Sequence, residues 1–234
     1  MRFYQGRALI CLLLVIASAT AVAQGSGASQ SSSSSSKHTK GSSARLVADV
    51  DAGTVVDGVY RNRALGLSCK VPAGWVLRTE EMNAREESES EATPPEEKSL
   101  PQKAQRSTEE ERGRVLLAAF SRPPDAKGEN VNSSIVIAIE KVAIYPGLKE
   151  AAQYFGPLTE VAKAQGFIVD EEPYEIKMGM KVVVRADFHK DVGTRVMRQS
   201  TVAFLAQGYA VSITVIGGTE DEVEELVDGV VFGK

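Results

Sequence analysis

The sequence predicts an α+β domain in which helices cover an antiparallel β-sheet. Three consecutive segments, residues 180–190, 196–206 and 209–216, have strand length and alternating or apolar composition. Short turns separate them, the second at Gln207-Gly208, and strands joined in this way pair antiparallel as a meander. Two amphipathic segments of helical spacing accompany these strands. Long antiparallel strands with few helices are typical of the α+β class, so we expect an antiparallel sheet sandwiched by helices.

Shorter strand-like segments precede the meander. They are residues 67–71, 115–120, 135–139 and 167–176. The first alternates apolar and polar residues and stops at Pro72-Ala73-Gly74, as a strand that ends in a turn does. The fourth contains Pro173, which has no amide donor, so we expect a weaker strand that is broken at this proline.

The first turn of the meander predicts a hairpin and its register. One face of its first strand carries Val182, Val184, Ala186 and Phe188, and the other carries Lys181, Arg185, Asp187 and His189. A turn centred on Val192-Gly193 would pair Phe188 with Met197. The same register would place Asp187 opposite Arg198, which puts opposite charges across the ladder.

A helix is predicted before the meander. Its apolar face consists of Leu148, Ala151, Ala152, Phe155 and Thr159. Gly166 supplies a C-terminal stop. Pro157 lies inside this segment, so we expect a kink or a break near Gly156.

The last helix has a clearer start. Thr219-Glu220-Asp221-Glu222 is a capping box with acids in the first turn, where they favour the helix dipole. One apolar stripe follows, formed by Val223, Leu226, Val227 and Val230.

Composition excludes several classes of protein. The chain has 234 residues, of which 43% are hydrophobic and 25% charged, which excludes collagen-like, coiled-coil and wholly disordered chains. The formal net charge is −4, so we do not expect a nucleic-acid partner.

The N-terminus predicts export. Residues 1–7 carry two arginines and no acid, residues 8–17 are a short apolar run, and Ala21-Val22-Ala23 is a small-x-small cleavage site. We therefore interpret residues 1–23 as a signal peptide, because a membrane anchor needs roughly 20 apolar residues. The mature protein is expected in the periplasm, the cell envelope or the medium, without a transmembrane span. It would keep one cysteine, Cys69, and so no internal disulfide.

Two polar segments flank or interrupt the folded part, which we assign to residues 54–234. Residues 24–53 are rich in Gly and Ser and predict a flexible tether, either a spacer or an unselected tail. Residues 80–112 contain eleven Glu and five Lys or Arg, and predict an acidic, partly disordered insertion. An acidic docking segment is the alternative for this insertion.

One stretch carries a family resemblance. Tyr60-x-Asn62-x-x-Leu65-Gly66-Leu67, followed by Val71-Pro72-x-Gly74-Trp75, resembles the opening of PsbP-like domains. The order of strands, helix, meander and last helix over residues 55–232 is also similar to that family. The resemblance implies an antiparallel sheet between helices, in an exported bacterial protein that binds or assembles with others. It carries over no metal or cofactor.

Catalytic machinery is sparse in the sequence. Only two histidines exist, of which His38 lies in the predicted tether and His189 near a hairpin end, beside Asp187 and Asp191. A nucleophile–histidine–acid site would have to use His189, and no Gly-x-Ser-x-Gly elbow accompanies it. Alternation with Leu67 and Val71 points Cys69 into the core, although a reactive thiol is the alternative. We predict no catalytic residue, metal or cofactor.

Four residues are candidates for binding. Trp75 is either a sugar-stacking platform or a plug at a corner of the sheet. Arg185, His189 and Arg198 can share one sheet face and form an anion patch, unless local ion pairs occupy them. Asn132-Ser133-Ser134 is also a glycosylation sequon.

Three functions stay open from the sequence. The first is a non-catalytic binding or assembly module of the cell envelope with a protein partner. The second is a hydrolase or thiol enzyme that uses His189 or Cys69. The third is a carrier of a small ligand or lipid in a cavity between sheet and helices.

Overall fold

The structure is a computed structural model, which describes residues 50–91, 113–123, 126 and 131–233. The predicted signal peptide, residues 24–49 of the predicted tether and residues 92–112 of the predicted insertion lie outside the described residues.

Eleven strands form two antiparallel sheets in the described ranges. The small sheet has the order β1-β2-β3-β11 and the large one the order β4-β5-β6-β10-β9-β8-β7. The strands are β1 (Thr54–Val56), β2 (Val59–Asn62), β3 (Leu67–Lys70), β4 (Val76–Leu77), β5 (Arg114–Phe120), β6 (Ser134–Lys141), β7 (Ile168–Met178), β8 (Lys181–Val192), β9 (Arg195–Ala206), β10 (Tyr209–Gly217) and β11 (Val230–Phe232). The helices are α1 (Thr79–Glu91), α2 (Ala151–Ala164) and α3 (Glu220–Asp228), with a 3-10 turn at Val142–Ile144.

Helices lie on both faces of the large sheet, which confirms the predicted α+β class. On one face Met82 of α1 packs on β5 and β6, and Phe155 of α2 packs on β8 and β9. On the other face the small sheet and α3 enclose the main core with side chains such as Ile137 and Ile213. The small sheet is a layer that the sequence analysis did not predict.

The β8–β9 hairpin forms, but the predicted register is wrong. Val192 pairs with Arg195, so Gly193 and Thr194 are the two turn residues. Gly193 has φ 63°, a conformation that a two-residue hairpin turn needs. The shift leaves every side chain on its predicted face, yet it places Arg198 opposite His189 instead of Asp187.

Neither Pro173 nor Pro157 breaks the element in which it lies. β7 continues through Pro173, because it is an edge strand and its register shifts on either side of Glu171. Helix α2 likewise runs from Ala151 to Ala164 with Pro157 inside. Packing of Phe155 and Leu158 on the sheet offsets the backbone hydrogen bond that the proline lacks.

The last residues of the predicted tether belong to the fold. Val50 is fully buried, and the Arg114 guanidinium donates to its carbonyl oxygen. The Asn62 amide donates to the Asp51 carbonyl at 2.8 Å, and the Tyr60 hydroxyl donates to the Ala52 carbonyl at 3.1 Å. The Tyr60-x-Asn62 motif therefore anchors the chain where it enters the domain.

The start of the predicted acidic insertion is a helix. The Thr79 hydroxyl accepts from the Ala118 amide at 3.0 Å, and the Asn83 side chain exchanges two 3.0 Å hydrogen bonds with the Val115 backbone. These side chains form hydrogen bonds with backbone groups of β5 that the short strand β4 does not reach. Unpaired backbone groups at the edge of a sheet favour aggregation. The prediction of a loop from residue 80 thus differs from the structure, because tertiary contacts hold α1.

Candidate binding cleft

The start of α3 depends on Gly217 at the end of β10 and on Thr219 two positions later. Thr219 caps the helix, because its hydroxyl accepts from the Glu222 amide at 3.2 Å. At Gly217 a Cβ atom would lie 3.0 Å from Val223 Cγ2, which is closer than ordinary side chains approach. The glycine therefore lets the helix fold back closely over the sheet.

Glu222 fastens this first turn to a neighbouring strand. Its carboxylate accepts from the Ser133 hydroxyl at 2.5 Å and from the Gly218 amide at 2.8 Å. The predicted capping box is thus only half formed, since Glu222 reaches the amide before Thr219 rather than that of Thr219 itself. The Glu222 carboxylate therefore already places a negative charge at the N-terminal end of α3.

Asn132 organises the opposite wall. Its amide oxygen accepts from the Ser121 hydroxyl at 3.0 Å and the Arg122 amide at 3.2 Å, and its amide nitrogen donates to the Arg122 carbonyl at 3.1 Å. The side chain of the sequon residue Asn132 therefore holds the β5–β6 connection through three hydrogen bonds.

These elements surround a cleft of about 700 Å³ at one end of the large sheet. Its walls come from the β5–β6 connection, the first residues of β9 and the first turn of α3. The lining residues are Ser121, Arg122, Val131, Ser133, Arg195, Val196, Arg198, Gly218, Thr219, Glu220 and Glu222.

Arg198 is the candidate residue that lines this cleft. It is half-buried on β9, opposite Gly217 of β10. Within the described ranges, no side chain or backbone group forms a hydrogen bond or ion pair with its guanidinium. A half-buried guanidinium with open hydrogen-bonding capacity is suited to a carboxylate or phosphate.

Arg185 lies elsewhere, in an ion-pair network. Its guanidinium pairs with both carboxylate oxygens of Asp187 at 3.0 Å and bidentately with Glu224 of α3. Burial alone would lower the pKa of Arg185, but these carboxylates raise it above its usual value. Burial and the 2.8 Å hydrogen bond to Asp187 raise the pKa of Tyr174 to about 12. Local pairing thus occupies Arg185.

His189 has an acidic partner that the sequence did not indicate. Its Nδ1 contacts Asp170 Oδ1 on β7, rather than the neighbouring Asp187 or Asp191. No serine, threonine or cysteine of the described ranges is hydrogen-bonded to His189. The His189–Asp170 pair lies beside the cleft, since His189 is the cross-strand neighbour of Arg198.

The other two sequence candidates are parts of the core. Trp75 is half-buried against the main core, and its amide donates to the Pro72 carbonyl at 3.3 Å to close the turn. Cys69 is fully buried between Tyr60 and Val230, and burial raises its pKa to about 12. Neither residue lines the cleft.

Neither a metal-binding cluster nor a membrane-spanning helix occurs in the described ranges. No three His, Cys, Asp or Glu side chains there come together as ligands for a metal ion. No helix of this part of the chain is both long and apolar enough to span a bilayer.

Comparisons with known proteins add little. Neither a protein-family model nor a curated protein matches the sequence. A Pseudomonas aeruginosa protein of unknown function is similar with a TM-score of 0.31 and 18% identity, over 43% of this chain and 68% of that one. LpqN, involved in cell envelope biogenesis of Mycobacterium tuberculosis, has a TM-score of 0.33 and 12% identity, over 72% and 83% of the two chains. Both likenesses are too distant to carry an argument, so the PsbP-like resemblance stays a prediction.

Sequence reasoning found Arg198 but not the cleft around it. Ser133 is 89 residues from Glu222 in sequence, and their contact exists only once α3 has folded back. The capping box at Thr219 and the sequon at Asn132 are the local sequence features of this region, and neither indicates a cleft.

Proposed function

We propose that this protein is an exported, non-catalytic binding module of the cell envelope whose cleft receives part of a protein partner. The observation that carries the proposal is Arg198, which lies half-buried in the wall of the cleft with no partner among the described residues. An arginine held in this way is pre-organised for an incoming anionic group, and arginine is enriched at protein interfaces.

Two sequence predictions support the same role. The predicted signal peptide directs the chain out of the cytoplasm, and the predicted tether gives the domain reach from a surface. The resemblance to PsbP-like domains implies a binding or assembly role in the same way.

The alternatives have less support. A thiol enzyme needs an accessible thiolate, whereas Cys69 is fully buried with a pKa raised to about 12. The His189–Asp170 pair resembles two parts of a hydrolase site, so it is the observation that favours an enzyme. A lipid carrier would place its cavity between sheet and helices, but the cleft opens at the end of the sheet.

The proposal is tested by photo-crosslinking in the native envelope. A photoreactive phenylalanine is placed at Val196, which lines the cleft, and in a matched variant at Val182, which is 58% exposed outside it. We expect a defined crosslinked protein from position 196 and none from position 182. Arg198→Gln should reduce the position-196 product several-fold.

Three results would contradict this function. The first is the absence of a crosslinked protein at position 196, whether or not one forms at position 182. The second is a chain that keeps residues 1–23 and stays in the cytoplasm, shown by mass spectrometry of cell fractions. The third is a catalytic turnover that His189→Gln abolishes, which would establish the hydrolase instead.

A further inference from the structure

Arg198 is the cation of the cleft lining that has no partner among the described residues. The lining also contains Arg122 and Arg195, which have interactions of their own, and two glutamates, Glu220 and Glu222. A single negative charge on a ligand would pair with Arg198. A second negative charge would be repelled by the two carboxylates, and such like-charge contacts disfavour binding.

The N-terminus of α3 is not the group that binds the ligand. Glu222 already accepts from Gly218 and Ser133, and Thr219 already caps the Glu222 amide. Arg198, across the cleft on β9, is the cation whose hydrogen bonds are not made within the described residues. The ligand's negative charge therefore belongs next to Arg198.

Apolar groups adjoin this charge. Val196 precedes Arg198 by two residues on the same strand, and Val131 lines the cleft from the β5–β6 side. A ligand that fills the cleft would place an apolar group near these valines and its anion on Arg198. A peptide has this combination wherever a carboxylate adjoins an apolar side chain.

We infer that the cleft binds a peptide through one carboxylate, which pairs with Arg198 while a neighbouring apolar side chain contacts Val131 and Val196. This inference rests on the proposed binding function and specifies the chemistry of its partner. A planar carboxylate matches the guanidinium fork, and such charge-assisted bonds are roughly twice as strong as neutral ones. The carboxylate can come from a C-terminus or from an Asp or Glu side chain.

The test measures binding of defined probes to the mature protein. The probes are N-acetyl-Ala-Val with a free C-terminus, N-acetyl-Asp-Val-amide, N-acetyl-Ala-Val-amide and inorganic phosphate. Calorimetry measures the affinity of each probe, and NMR of the arginine Nε–H groups shows whether it contacts Arg198. We expect at least one carboxylate peptide to bind and to shift the Arg198 signal. Whichever of the first two binds more tightly identifies the source of the carboxylate.

Substitutions show whether binding depends on Arg198 itself or only on the overall charge of the protein. Arg198→Gln should weaken binding at least tenfold, and Arg198→Lys should weaken it less, because it keeps the charge but loses the fork. Arg61→Gln, at an exposed position on β2, should leave binding unchanged. The lysine variant also serves if the glutamine variant does not fold.

Equal binding of the amide probe, tighter binding of phosphate than of either carboxylate, or unchanged binding by both Arg198 variants would overturn the inference. Its failure is distinguishable from that of the proposed function. A crosslinked partner at position 196 without carboxylate binding refutes the inference alone. Carboxylate binding without any crosslinked partner refutes the proposed function alone.

Discussion

Cys69 shows how burial decides the chemistry of a single side chain in this protein. It lies on β3 between Tyr60 of β2 and Val230 of β11, with no exposed surface. Water is excluded from the thiol, so the charged thiolate is disfavoured and the pKa rises to about 12. At pH 8 about one thiol in ten thousand would be ionised even if a reagent could reach it. The residue is a small apolar part of the core.

We therefore expect Cys69 to resist alkylation in the folded protein. Iodoacetamide at pH 8 should leave the native mature chain unmodified over hours and label it within minutes in guanidinium chloride, as mass spectrometry would show. Cys69→Ala provides the control, because it should show no label in either state. Rapid labelling of the native protein would contradict the assignment of Cys69 to the core.

Helix α3 shows how an element depends on its surroundings. It has nine residues, and an isolated helix of that length is marginal in water. Val223, Leu226 and Val227 bury one side of it, and Glu224 joins it to Arg185 on β8. The first turn of this helix lines the cleft, so the ion pair of Glu224 with Arg185 helps to hold one wall of the cleft in place.

We expect Glu224→Gln to lower the free energy of unfolding by about 1–2 kcal/mol, because it removes a charge-assisted bond to the mostly buried Arg185. Glu225→Gln is a matched control on the exposed side of the same helix and should change stability by less than about 0.5 kcal/mol. Urea denaturation of the two variants measures both effects. Equal effects would show that the ion pair does not fasten the helix.

At the scale of the whole molecule, weak acids make stability depend on pH. The pKa of Tyr60, of Cys69 and of Tyr174 is raised to about 12, and burial is the largest cause for each residue. The ordinary values are 10.0 for the tyrosines and 9.0 for the cysteine. Between the ordinary and the raised pKa the unfolded chain loses protons that the folded protein keeps, so unfolding becomes more favourable as pH rises.

We therefore expect stability from these groups to be fully present below pH 9 and to be lost between about pH 9 and 12. Thermal unfolding followed by circular dichroism from pH 7 to 12 measures this loss. Cys69→Ala should remove the part of the decline that begins nearest pH 9. A melting temperature that stays constant up to pH 12 would contradict the prediction.

Much of the fold could be predicted because strands and helices are encoded by near neighbours. Alternation placed Val184 and Arg185 on opposite faces of β8, and Thr219 marked the start of α3. The predicted register of the β8–β9 hairpin was wrong, because the turn lies one residue later and each cross-strand partner is shifted by two residues. Both registers keep every side chain on the same face, so period-two alternation does not distinguish them. The pairing of Asp170 with His189 was missed, since it depends on a bulge in β7.

By itself, the sequence determined the α+β class, the meander with its turn at Gln207-Gly208 and the amphipathic face of α3. Contacts between residues two to four positions apart decide these features. Only the tertiary structure decided the second sheet, the addition of β11 to β3 and the cleft. Ser133 and Glu222 lie 89 residues apart, yet their hydrogen bond joins two walls of that cleft. Local periodicity carries no information about such a contact, because packing brings its two residues together only when the core forms.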